Sequence, residues 1–317
     1  MSKITVFIIL LLATVAGYAQ SRRTSSDNAA TQIKSYAVLP DRGYTLDKVR
    51  TDTTLHFIPG DSLRMTQVNR FWIRVVVVNP SHYDEPYNLY FQPSLKNTLY
   101  WFDANSQRWV SQQTGIYVPN YRHRRGNYRQ AMSFVAEKQA ETTLYIKADL
   151  QAVHRTIAIK PQIVVESQAV TDSNEQFMLV AWMATLAVLF LFFINNLFIY
   201  FSFKDKIVLY YLIGQIGAVI YLTYYKRFIE AFLPCPVFTF DVWANGDMYA
   251  FDLADLLQHF SIILVLYWLV QSTRTYLNTS TTLPRLDFVL KYGLYAYTFI
   301  TVILVAINSW LFYLEPY

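Results

Sequence analysis

Phe71-Trp72-Ile73-Arg74-Val75-Val76-Val77-Val78-Asn79-Pro80 is the stretch on which the fold turns. Eight residues rich in β-branched and aromatic side chains run into Asn-Pro, where a hydrogen-bonded ladder stops. Such a run makes a strand, and its neighbours repeat the pattern. Residues 87–92 alternate and end at Pro93; Thr98-Leu99-Tyr100-Trp101-Phe102 is turned by Asp103-Ala104-Asn105. Residues 108–110, 131–135, 142–147 and 156–165 bring the number to about seven or eight short strands. Turn signals recur at the spacing of a β-sandwich, and no stretch of helical period interrupts them. The expected fold is a jelly-roll-like sandwich over residues 55–168, followed by an α-helical transmembrane bundle.

The chain on either side is different material. Residues 177–203 carry no charge and are long enough to span a bilayer. Lys204-Asp205-Lys206 closes that run, and further spans are expected at residues 207–225, 251–270 and 289–312. Ahead of the strands, residues 1–19 read as a secretory signal: Lys3, an apolar core over residues 4–15, and Gly17-Tyr18-Ala19 before the cleavage point. Polar residues 20–54 read as a flexible leader.

Composition agrees. Only 15% of the 317 residues are charged and 54% are apolar, which excludes an ordinary cytosolic enzyme and a disordered chain. The net charge of +5 resides in residues 20–176, where 19 basic residues face 14 acidic ones. That excess is too diffuse for nucleic acid and fits an anionic ligand or anionic headgroups. One cysteine, Cys235, rules out an intramolecular disulfide and leaves a bridge between chains or a free thiol.

An exported sandwich fixes the topology. The first span runs inward, so Lys204 and Lys206 face the cytoplasm, as do Arg274 and Arg285 after the third span. The loop near residues 226–250 lies outside. This distribution follows the positive-inside rule. The expected location is the cell inner membrane, multi-pass, with the N-terminal domain in the periplasm.

Residues 71–80, Leu89-Tyr90-Phe91, residues 99–103 and Thr143-Leu144-Tyr145-Ile146-Lys147 resemble successive strands of a bacterial ectodomain. Asn195-Asn196-Leu197-Phe198-Ile199-Tyr200, Lys204-Asp205 and Leu209-Tyr210-Tyr211 resemble the first two helices of the same proteins. These are the seven-transmembrane receptors with diverse intracellular signalling modules. The resemblance implies a sensor whose sandwich, similar to carbohydrate-binding modules, acts through seven helices on an internal output. This chain departs from the pattern with four expected spans and no output module. The expectation is either a truncated receptor or a protein working with a separate histidine kinase or response regulator, in the manner of a two-component system.

Candidate sites follow from residue chemistry. Tyr121, Arg122, His123, Arg124 and Tyr128 form a loop suited to an anionic or sugar-containing ligand, or a solvated loop leaning on lipid. Trp101 and Trp109 offer a stacking platform, or belong to the core. Asp252, Asp255, Gln258 and His259 fall on one face of the third span by their spacing. With Asn195, Asn196 and Gln215 they make an intramembrane polar network that serves as a protonation switch or aligns the bundle. No metal and no cofactor is implied. His56 with Asp61 and Ser62, or His82 with Asp84, would make a triad only on paper, because nothing supplies an oxyanion hole; no enzymatic activity is expected. The functional expectation is a membrane sensor binding a small ligand, carbohydrate-like or anionic, with lipid and a homo-oligomeric copy as further partners. The alternatives are a non-signalling anchored binding or assembly module and a transporter fragment.

Overall fold

The computed structural model describes residues 33–59, 63–64, 69–118, 131–151, 153, 158–225 and 236–311. The signal, the 121–129 loop and Cys235 lie outside them. The described chain forms two compact units: residues up to 175 together with 242–247, and residues 176–241 together with those from 248 onward.

The first unit is an antiparallel sandwich. Its larger sheet has the order β2-β1-β4-β9-β6-β7, from β1 (Ile33–Pro40), β2 (Ile58–Pro59), β4 (Arg70–Val78), β6 (Lys96–Asp103), β7 (Arg108–Thr114) and β9 (Glu141–Asp149). The smaller sheet, β11-β5-β8, is built from β5 (Glu85–Gln92), β8 (Ala131–Ala136) and β11 (Gln162–Ser167). Two short strands, β3 (Leu63–Arg64) and β10 (Ala158–Ile159), pair with each other.

Alternation explains the core. On β4 the residues Phe71, Ile73, Val75 and Val77 point inward and are fully buried, and they meet Ala148, Ile146 and Leu144 across the ladder to β9. Tyr87, Leu89 and Phe91 on β5 and Met132 and Phe134 on β8 supply the opposing layer. The four-valine run is therefore not buried on both faces: Val76 and Val78 look outward and are half-buried.

The structure corrects the leader at residues 33–54. Ile33–Pro40 is an edge-side strand paired with β4, and Leu46–Thr51 is a short helix, α1, capped by Thr45. The buried apolar part of β1 is Ala37-Val38-Leu39, and its partner is more than thirty residues away, so tertiary pairing decides the strand.

The second unit contains the spans. Helices α2 (Gln168–Phe203), α3 (Lys206–Tyr225), α4 (Leu253–Tyr276) and α6 (Pro284–Trp310) are each long and apolar enough to cross a membrane. A four-residue helix, α5 (Thr279–Thr282), connects the last two. A hairpin, β12 (Val237–Val242) and β13 (Met248–Asp252), precedes α4. Helix α3 packs on α4 where Gly217 lets the backbones approach: a Cβ there would lie 2.9 Å from a Val265 methyl. Arg274 clamps α6 through both oxygens of Asp287, at 2.7 and 3.0 Å.

Candidate functional site

The outward face of the larger sheet carries an aromatic field. Register puts Trp72 opposite Lys147, Arg74 and Tyr100 opposite Tyr145, and Phe102 opposite Trp109. The rings touch in series: Trp72 to Tyr100 at 5.5 Å, Phe57 to Tyr145 at 6.5 Å, Tyr145 to Trp109 at 5.8 Å and Trp109 to Phe102 at 6.0 Å. Cations lie over several of them. The Arg50 guanidinium stands 4.3 Å from Trp109, Arg74 4.9 Å from Phe57, and the Lys147 ammonium 5.1 Å from Trp72.

Helix α1 and its flanks roof one end. Val49 packs with Leu39 and Trp72, and Tyr44, Leu46, Leu55 and Phe57 close around them. Asp41 pins this roof. Its Oδ1 accepts from the backbone N–H groups of Gly43 (2.9 Å) and Tyr44 (2.8 Å), and Oδ2 faces the Lys147 ammonium at 3.0 Å. Burial alone would raise the Asp41 pKa, but Lys147 and the two N–H groups outweigh it and hold the carboxyl below its ordinary value.

The other end is open. Phe102 and Trp109 there border a cavity of about 210 Å³, shared with Asp84, Asp103, Glu137 and Glu141. The turn before β5, the β6–β7 turn and the β8–β9 turn meet here. Asp103 accepts from the Ser106 hydroxyl (2.7 Å) and the Asn105 N–H (3.2 Å), and the Ser106 bond leads in lowering its pKa. Asp84 accepts from Lys138 N–H at 2.8 Å, and Glu141 pairs with Lys34. An aromatic wall beside fixed carboxylates suits a ligand with a flat apolar face and many hydroxyl donors. It repels anions.

Trp101 and Trp109 do not share a platform. Trp101 pairs with Val110 on the inward side, whereas Trp109 faces outward beside Phe102. Adjacent strand residues point to opposite faces, so Trp101 and Phe102 cannot both stack on Trp109. Phe102, Tyr145 and the carboxylates are the residues that sequence reasoning missed. The turn between Asp103 and Arg108 contains the signal, because closing the hairpin on that pair puts Phe102 opposite Trp109. Tyr121, Arg122, His123, Arg124 and Tyr128 lie outside the described residues. His56 is exposed, and His82 Nδ1 meets Gln139 at 2.8 Å, while the Asp84 carboxylate accepts from Lys138 N–H.

The polar residues of the apolar helices lie in different settings. Asn195 is exposed on α2, and Asn196 donates to the Phe192 carbonyl of its own helix at 2.8 Å. Gln215 is buried on α3. Asp252 does not lie within a helical face: it ends β13 and caps α4, accepting from Ala254 N–H (2.8 Å) and Asp255 N–H (3.1 Å). Asp255 returns the bond to Asp252 N–H at 3.0 Å, completing a capping box. His259 Nδ1 lies 2.7 Å from the Asp255 carbonyl oxygen, one turn back on α4.

Comparison with known proteins finds no match among curated proteins. Among solved structures the chain is similar to a GH31 alpha-xylosidase from Xanthomonas citri, at 11% identity and a TM-score of 0.20. That alignment covers 42% of this chain and 13% of the xylosidase. Residues 34–153 match the family described as 7TMR-DISM extracellular 2, so this part of the chain is similar to the extracellular domain that the strands around Phe71 and Tyr100 resemble.

Proposed function

We propose that this chain is a bacterial membrane sensor whose periplasmic sandwich binds a carbohydrate-like ligand and whose helices pass the change to a cytoplasmic output. That output lies on a separate histidine kinase or response regulator, or on chain beyond Tyr317. The extracellular family match and the four apolar helices support a membrane receptor. The observation that carries the ligand class is the open end of the aromatic field, where Phe102 and Trp109 stand beside four carboxylates. Sugars present C–H faces to rings and hydroxyl donors to carboxylates, whereas an anion would meet like charge. A ligand moves the helices only through different affinity for two states of the sandwich.

The test is binding of neutral and anionic glycans to the full chain in nanodiscs. Neutral oligosaccharides should bind, and Trp109→Ala should weaken them at least tenfold while the sandwich still unfolds cooperatively. Asp103→Asn, which leaves the rings intact, should weaken them several-fold. Absence of neutral-glycan binding, or affinities unchanged in both variants, overturns the reading.

A further inference from the structure

The turn of the β12–β13 hairpin lies in sequence between two membrane-spanning helices, yet residues 242–247 belong to the compact unit of the sandwich. Three hydrogen bonds hold the turn on the chain between β10 and β11. Lys160 N–H, released where β10 ends, donates to the Ala244 carbonyl at 2.8 Å. The Gln162 amide donates to the Asn245 carbonyl at 3.1 Å and to Asp247 Oδ1 at 2.6 Å. The turn is braced internally: Trp243 N–H reaches the Asp247 carbonyl at 3.0 Å, and Asn245 Nδ2 donates to Asp247 Oδ2 at 2.6 Å. Gly246 is buried at φ +90°, and a Cβ there would fall 2.1 Å from the Lys160 carbonyl oxygen. Both conformation and space therefore demand glycine.

Strand β11 is thus gripped at both ends. Gln162 at its start holds the hairpin turn, and Ser167 at its end is followed directly by α2. The hairpin leads without a linker through β13 to Asp252, whose carboxylate caps α4. We infer that β11 is a relay strand: a shift of β11 against β5 reaches the spans by two routes at once, directly into α2 and through the docked turn into α4. This rests on the sensor reading for its purpose, but the mechanical link is testable without any ligand.

The experiment uses the full chain in nanodiscs. In a Cys235→Ser background, Lys160→Cys with Ala244→Cys should form an intramolecular disulfide in most molecules under mild oxidation; failure to cross-link overturns the docking. Hydrogen exchange reads the relay. Gly246→Val should speed exchange at least tenfold at residues 243–247, and several-fold at residues 163–166 and at the first amides of α4, residues 254–256. Exchange at Ile73 and Leu144 should stay unchanged, showing that the sandwich remains folded. Gln162→Ala, which strains no backbone, should reproduce the pattern more weakly. A loosened turn with unchanged exchange in α4 and β11 in both variants overturns the relay. Cross-linking and relay without glycan binding would instead defeat the ligand reading and leave this one standing.

Discussion

The sandwich and helix α2 use the same apolar residue types in opposite ways. Ile73, Val75, Leu89 and Leu144 are wholly buried, each by strands from its own domain. On α2, Leu191 is 68% exposed and Phe198 70%, and its most apolar window buries nothing within the protein. Apolarity alone does not distinguish a core from a lipid-facing surface. What distinguishes them is period: alternation directs half of each strand inward, whereas α2 is apolar all round and has no inward side. The first arrangement excludes water with protein, the second needs hydrocarbon.

Substitutions should separate the two regions by size of effect. Ile73→Ala should destabilise the sandwich by about 2–5 kcal/mol, the usual cost of a buried cavity. Leu191→Ala should change the stability of the helical region by no more than about 0.5 kcal/mol. Thermal and denaturant unfolding of the full chain in lipid checks both, and equal losses would erase the contrast. Glycines give a second measure. Gly115 sits at φ +123° with a notional Cβ 2.2 Å from the Leu95 carbonyl oxygen, so Gly115→Ala should cost about 1–3 kcal/mol or more. Gly293 in α6 has open space around it, and Gly293→Ala should gain about 0.5–1 kcal/mol. A loss at both positions would show that the helix carries a constraint not visible in its packing.

The smallest effect is the pH dependence of the roof. The Asp41 pKa is depressed in the folded state, so its stabilisation is fully present above the unfolded value near 4 and disappears as pH falls through the folded one. Asp41→Asn should cost about 1–2 kcal/mol at pH 7 and progressively less as pH drops below about 4. Unfolding curves of both proteins across that range test this; a difference that grows on acidification refutes the assignment.

Much of this molecule is readable from its chain, and the exceptions have physical causes. Strands β4 to β9 and the four long apolar helices follow from period and length, but α2 starts nine residues early, α6 five residues early, and α4 ends six residues late. Strand β1 is hidden because its short apolar run, Ala37-Val38-Leu39, acquires meaning only beside β4. The hairpin turn was hidden because its partners, Lys160 and Gln162, are some eighty residues away. Asp252 was misplaced by spacing, although an Asp three residues before another Asp at the start of an apolar run is also a helix-start signal. The pairing of Phe102 with Trp109 depended on choosing the correct closing pair of one turn, which composition does not decide.

Strand β11 ends at Ser167 and α2 begins at Gln168, with nothing between. A flexible tether at this place would forgive insertions; a helix does not, since each added residue rotates everything downstream by about 100°. Change in length here is therefore counted in turns. Seven extra residues bring the lower helix back within about 20° of its starting phase, whereas two would point it almost the opposite way.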